Sequence, residues 1–277
     1  MPTVDERIGD CDGLRIRYLA AGEPGDPPVV LLHGGSLDSA RLSWKRAIPA
    51  FAGDFRVVAP DWPGYGGSDP PDAPVTTGYY RCVLGRLLDA LELESANLVG
   101  VSMGGGVALG FALDDPSRVE RLVLVDSYGL GGAVPGGPVG YVAGRLGLTG
   151  LAFSLLRRSR RATALALRSA VAGTPDDELV SEVYDEVRRR GQSAWIAFQR
   201  NEVGPRRLRT NYVDRLPDLP VPTLLIHGEN DPLVPVSWAV RAGTLIPNAE
   251  VRVLPNCGHW PPREKPEAFA ELVRAFL

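Results

Sequence analysis

The sequence is poor in several features that would each point to a particular chemistry. Cysteine occurs only as Cys11, Cys82 and Cys257. An odd number at wide spacing offers neither a disulfide framework nor a metal cluster. Histidine is equally scarce, as His33, His227 and His259, which argues against a multi-histidine metal centre. No stretch approaches the roughly 20 apolar residues that a membrane-spanning helix needs. The first residues, MPTVDERIGDCDG, lack the basic start and apolar run of a signal peptide, so a cytoplasmic location is expected. A net charge of -3 gives no general attraction to nucleic acid. The expectation is a small-molecule ligand, with no nucleic acid, membrane, cofactor or metal; a homodimer is left open.

What the chain does contain is glycine and proline, 32 and 25 among 277 residues. Such a length suits one large domain with an insertion. Residues 6–19 read as a hairpin around Asp12-Gly13. Short apolar runs at Val29–Leu32, Arg56–Ala59, Asn97–Val99 and Val221–Ile226 read as buried strands, and Val119–Val125 and Val251–Leu254 read as two further strands. Helical patterns fall between them, at 44–51, at 79–93 (with Leu84, Leu87, Leu88 and Leu91 on one face), at 238–244 and at 266–277, where Phe269, Leu272, Val273 and Phe276 turn inward. Alternation of this kind predicts an α/β fold with a mostly parallel sheet and helices on both faces.

After Asp126 the pattern changes. Residues 129–150 are rich in glycine and proline, and 151–171 reads as a helix. Thr174-Pro175-Asp176-Asp177 reads as a helix start, with Thr174 as the cap and Pro175 in the first turn, for a helix ending at Arg188, Arg189 and Arg190. Short helices are expected at 192–201 and 206–212. The division is therefore a core of 1–129 and 213–277 with a helical lid at 130–212. The arginines at 157–161 read as the wet face of an amphipathic helix. Val142, Leu146, Leu148, Leu151, Phe153, Leu156, Trp195 and Phe198 are the apolar candidates for a cavity wall in the lid.

The chemistry centres on Gly100-Val101-Ser102-Met103-Gly104, a turn between a buried strand and a small-residue helix. That setting lifts the Ser102 hydroxyl above the sheet. A serine needs a base to attack, and His259, in the loop after the last strand, is placed for that role. His33 and His227 read as loop or packing groups. The imidazole needs an acid to fix its tautomer. Asp231 follows the penultimate strand; Asp126 is the alternative acid, or else a structural group or part of the pocket floor, and Glu229 is expected to point elsewhere. The order serine, acid, histidine fits. Two backbone amides would hold the developing oxyanion: Met103 at the helix N-terminus and Gly35, with Ser36 as its neighbour. The glycines at 104–106 match neither a phosphate loop nor a dinucleotide fingerprint.

The loops HGGS, DWPGYGGSD, GVSMGG, HGEND and NCGHW, in that order, resemble the α/β-hydrolase superfamily with a helical cap. The resemblance covers the chain outside about 130–212. It implies an eight-stranded, mostly parallel sheet, a pocket between sheet and cap, and an acyl-enzyme on Ser102. A serine at the turn argues against the dehalogenase and epoxide-hydrolase branches, which place an aspartate there. SMGG with CGHW is similar to the carbon-carbon hydrolases of aromatic-ring meta-cleavage products, whose histidine is followed by a tryptophan, as Trp260 follows His259. That branch implies a cap arginine near the substrate carboxylate, for which Arg200 is the candidate; the HGGS loop departs from its longer glycine-proline form. Substrate-contact candidates are Trp260, Arg200, Trp195, Phe198 and Phe153. The first expectation is an esterase-like serine hydrolase. A hydrolase of vinylogous diketone acids ranks second, with a lactonase, an acyltransferase and a non-catalytic binding protein as further readings.

Overall fold

Asp12 and Gly13 both take positive φ, 58° and 84°, as a two-residue hairpin requires. They join β1 (Asp5–Cys11) to β2 (Leu14–Ala21) in the computed structural model, which describes residues 3–133, 137–189 and 193–277. The strands β3 (Pro28–Leu32), β4 (Arg56–Pro60), β5 (Ala96–Val101), β6 (Val119–Val125), β7 (Thr223–Gly228) and β8 (Ala249–Leu254) complete an eight-stranded sheet. Its order is β1-β2-β4-β3-β5-β6-β7-β8. The pairs β1/β2 and β2/β4 are antiparallel and the other pairs are parallel.

Successive residues of the central strands feed opposite layers, since side chains alternate across a sheet. Leu31, Val99, Val101, Val123, Val125 and Ile226 pack on one face against Trp44, Phe51 and Phe269. Those residues belong to α1 (Ala40–Trp44), α2 (Ile48–Phe51) and the C-terminal helix. Val30, Leu32, Leu98, Leu122, Leu124 and Leu225 pack on the other, against α3 (Thr77–Ala90) and α4 (Met103–Asp114). The expected helix over 44–51 is two short pieces, because Pro49 has no amide to continue a helix through Lys45. In α3, Leu84, Leu87 and Leu88 are buried as expected.

Between β6 and β7 lie α5 (Gly137–Arg145), α6 (Leu148–Leu156), α7 (Arg160–Leu167), α8 (Asp177–Arg189) and α9 (Ser193–Glu202). The single helix expected over 151–171 is broken: Ser159 caps a new one, its hydroxyl accepting the Ala162 amide at 3.2 Å. At the next helix the cap is Asp176, which accepts the Leu179 amide at 2.7 Å, rather than Thr174. The expected end at Arg190 and start at Gln192 lie outside the described residues. No helix forms over 206–212. There Leu208 donates to Gly132 and Arg209 to Glu202, and Val203 bridges Leu208, so these amides are taken by distant carbonyls. The core closes with α10 (Val236–Leu245), α11 (Pro261–Glu264) and α12 (Pro266–Phe276). In α12, Phe269 and Val273 are buried. No helix among the described residues is long and apolar enough to cross a membrane.

Candidate active site

The C-terminal ends of parallel strands open a crevice where α/β sheets bind ligands, and the chemistry-bearing residues gather there. The turn expected to occupy five residues is compressed to one. β5 runs through Val101, α4 begins at Met103, and Ser102 alone makes the bend at φ 52°, ψ −116°. A residue with a side chain held there stores roughly 1–3 kcal/mol of strain. Backbone bonds hold it in place: the Ser102 amide donates to Val125 at 2.9 Å, and its carbonyl accepts from Gly106 and Tyr128. The flanking glycines are steric requirements. A Cβ on Gly100 would lie 2.5 Å from the Gly104 carbonyl oxygen, and one on Gly104 would lie 2.3 Å from that of Leu32.

His259 Nδ1 meets Asp231 Oδ2 at 2.7 Å. The other Asp231 oxygen accepts the amides of Leu233 and Val234, so the loop itself fixes the carboxylate. His227 Nε2 lies 3.4 Å from both Asp231 and Asp126, a bridging position between two buried acids. Burial alone would raise the Asp231 pKa. Hydrogen bonds from His227 and His259, with the His259 charge, outweigh it and hold the carboxyl well below the usual range. Burial and the Asp231 charge push Asp126 well above that range. The pair therefore carries its negative charge on Asp231. Asp126 accepts the Gly228 amide at 2.8 Å and does not line the cavity. The expectation that it forms the pocket floor fails, because Asp126 is wholly buried beneath the His227 loop. Glu229 points away, its carboxylate facing the Asn256 amide at 3.3 Å.

Asp126, Asp231 and His259 also have donor atoms within 4.8 Å of one another, close enough to hold an ion. His259 Nδ1 and Asp231 Oδ2 already hold each other, and one oxygen of Asp126 holds the Gly228 amide.

A cavity of about 430 Å³ lies above this floor. Ser102 and His259 both line it, as do Gly35, Ser36 and Met103. The Ser102 hydroxyl makes no hydrogen bond among the described residues; such contacts commonly tighten only around substrate. The Gly34 carbonyl is 2.7 Å from His33 Nδ1. A trans peptide points its N–H opposite its carbonyl, so this contact aims the Gly35 amide away from His33. Neither the Gly35 nor the Met103 amide is spent on another described group.

From the inserted helices, Phe153, Leu156, Trp195, Phe198 and Arg200 reach the cavity. Trp195 stacks on Phe198 with centroids 5.6 Å apart and covers Gly35 so closely that a Cβ there would lie 2.3 Å from the indole. Arg200 is exposed, at the rim, and forms no ion pair among the described residues. The other apolar lid candidates do not reach. Val142, Leu146, Leu148 and Leu151 are 49%, 71%, 48% and 67% exposed and face outward. Trp260 lines the cavity, but its indole N–H donates to Ser43 at 2.8 Å, so it offers a substrate only its ring. Sequence reasoning missed Asp38, Ser43 and Glu264. Glu264 accepts the amides of Gly258 and Trp260, on either side of His259, and that of Ala172. No local sequence pattern singles out Asp38, a buried acid that follows the half-buried residues 35–37.

Known proteins resemble this chain over most of its length. Residues 29–272 match the model of the alpha/beta hydrolase family. A 2-hydroxymuconate semialdehyde hydrolase of Pseudomonas sp. (strain CF600) is 34% identical over 262 residues, covering 90% of this chain and 86% of the relative. Among solved structures, the 2-hydroxy-6-oxo-6-phenylhexa-2,4-dienoate hydrolase of Rhodococcus sp. strain RHA1 superposes with a TM-score of 0.81 at 26% identity, covering 100% and 99% of the two chains. An esterase from Rhodococcus sp. ECU1013 gives 0.78 at 26% identity, covering 99% and 98%. On the strand order, the Ser102 turn and the extent of these matches, the chain belongs to the alpha/beta hydrolase family.

Proposed function

We propose that the protein is a serine-nucleophile hydrolase that cleaves a carbon-carbon bond beside the ketone of a vinylogous diketone acid. The observation that carries this reading is the likeness, over nine-tenths of the chain, to a hydrolase named for a muconate semialdehyde. It moves the carbon-carbon reading ahead of the ester reading that the motifs alone placed first.

The chemistry follows from the groups at the cavity. His259, oriented by Asp231, takes the Ser102 proton as the oxygen attacks the ketone. The Gly35 and Met103 amides receive the oxyanion, a contribution of several kcal/mol in such sites. Collapse breaks the bond to the adjacent carbon. Carbon leaves only if its electron pair is delocalised, and a vinylogous dicarbonyl provides that as a conjugated enolate. His259 returns the proton to that fragment. Water, deprotonated by His259, then attacks the ester on Ser102 and frees a carboxylic acid. One water is consumed, and no cofactor enters.

The segment 130–212 serves as the cap. Phe153, Trp195 and Phe198 supply the apolar wall, and Arg200 is the cation for a substrate carboxylate. Esters fit the same machinery, and the match to a solved esterase keeps them as the second reading.

The test is a panel in which 2-hydroxy-6-oxohexa-2,4-dienoates and aryl esters of similar size are compared by kcat/KM. A preference for the dienoates of about 100-fold, the size of a well-built pocket discrimination, is expected. Rapid turnover of the esters with none of the dienoates would transfer the assignment to esterase.

A further inference from the structure

The loop that carries the Gly35 amide and the loop that carries His259 belong to opposite ends of the sequence, yet one hydrogen-bonded chain connects them. The Gly34 amide donates to Asp38 Oδ2 at 2.7 Å. The same oxygen accepts the Ser43 hydroxyl at 2.6 Å. Ser43 in turn accepts the Trp260 indole N–H at 2.8 Å, and the Trp260 amide donates to Glu264 at 3.0 Å. Asp38 Oδ1 accepts the Ser39 amide at 2.7 Å.

Gly34 is wedged between this acid and the nucleophile. A Cβ on it would lie 3.1 Å from Asp38 Oδ2 and 3.4 Å from Ser102 Cβ. The Gly34 peptide units are thus held on both sides, the amide by Asp38 and the carbonyl by His33. The Asp38 amide closes the turn by donating to the Gly35 carbonyl at 3.3 Å.

We propose that Asp38 is a positioning residue for the reaction: through Gly34 it sets the aim of the Gly35 amide, and through Ser43 and Trp260 it locks that aim to the histidine loop. The proposal rests on the reading of Ser102 as nucleophile and of Gly35 as oxyanion donor.

The chemistry of the site supports it. Every described partner of the carboxyl is a donor, so a carboxylate satisfies all three at once. Burial opposes this and pushes the group up to about 7, against the pull of Ser43, Gly34, Ser39 and Arg263. Keeping an acid in so unfavourable a place makes sense if the three buried donors must be held, since an apolar side chain would leave them without this acceptor. Oxyanion donors tolerate little displacement, because their effect depends on the distance to an oxygen that carries charge only in the transition state.

The experiment compares wild type with Asp38→Ala, Asp38→Asn and Ser43→Ala. It measures kcat and KM on the best substrate of the panel, the rate of covalent labelling by a fluorophosphonate, and thermal unfolding. In the labelling step the Ser102 oxygen displaces fluoride from phosphorus and the phosphoryl oxygen occupies the oxyanion site, so the rate reports on the donors without any carbon-carbon chemistry. Asp38→Ala is expected to lower kcat and the labelling rate together by about 10–100-fold, less than removal of a donor outright, with KM within about 3-fold. Asp38→Asn retains one acceptor oxygen and should recover part of the loss. Ser43→Ala cuts only the arm to Trp260 and should fall between wild type and Asp38→Ala.

A folded Asp38→Ala variant with wild-type kcat and labelling, or with its whole loss in KM, overturns the proposal. If that variant does not fold, Asp38→Asn and Ser43→Ala decide on the same criteria. Wild type that is not labelled, or labelling that survives Ser102→Ala, refutes the nucleophile reading instead.

Discussion

The turn at Ser102 and the helices between β6 and β7 are built on opposite terms. Around the turn, α4 is buried from Met103 to Ala112, and its glycines sit against backbone and side chains with no room for a Cβ. In the inserted segment, Leu146, Leu151, Leu155 and Leu165 are each more than half exposed. Helix starts there are set by single capping side chains such as Ser159 and Asp176. The contrast separates two tasks. Attack on a carbonyl needs fixed geometry, which close packing supplies. Choosing a substrate needs a wall of particular shape and charge, which can change without disturbing the floor. Most substitutions in the floor should therefore act on kcat, and those in the inserted helices on KM.

Asp231→Asn is the largest expected effect that would sharpen this division. It should lower kcat by about 10³–10⁴-fold, by analogy with the loss of the orienting acid in other serine hydrolases, with little change in KM. Asp126→Asn should cost under about 10-fold, since Asp126 bonds the Gly228 amide rather than His259. Equal losses in the two variants, read from steady-state kinetics, would mean that the two buried acids act as one unit.

Arg200→Gln should be milder and of the opposite kind. Loss of a charge-assisted contact at an exposed rim is expected to raise KM for a dienoate acid about 10-fold, leaving kcat within a few-fold and aryl ester kinetics unchanged. A fall in kcat on both substrate types would break the separation of floor from wall.

The same contrast governs what could be read from the sequence. Strands buried on both faces announce themselves as apolar runs, and β3, β5, β6 and β7 lie within two residues of where those runs place them. The positions of Ser102 and Asp231 were legible because each follows such a strand in a short loop, and that of His259 because it sits in the loop after the last strand, although β8 is largely exposed. The inserted helices were less so. Arginine and leucine recur through 145–168 with no proline to mark the break at Arg157–Ser159, so periodicity ran α6 and α7 together. Exposed leucines at 146, 148 and 151 could not be told from cavity-lining ones, because hydrophobicity does not say which face is covered. Asp38 was invisible for another reason: its role arises from Ser43 and Trp260, and Trp260 is 217 residues away from Ser43, a distance no local pattern spans.

The floor stands or falls on Ser102. With the best panel substrate, Ser102→Ala should retain its unfolding temperature within a few degrees, since alanine keeps the Cβ and the backbone hydrogen bonds that hold the turn. Its kcat should fall by about 10⁴-fold or more. A correctly folded Ser102→Ala enzyme that turns over at the wild-type rate would contradict the assignment of nucleophile, base and oxyanion donors together.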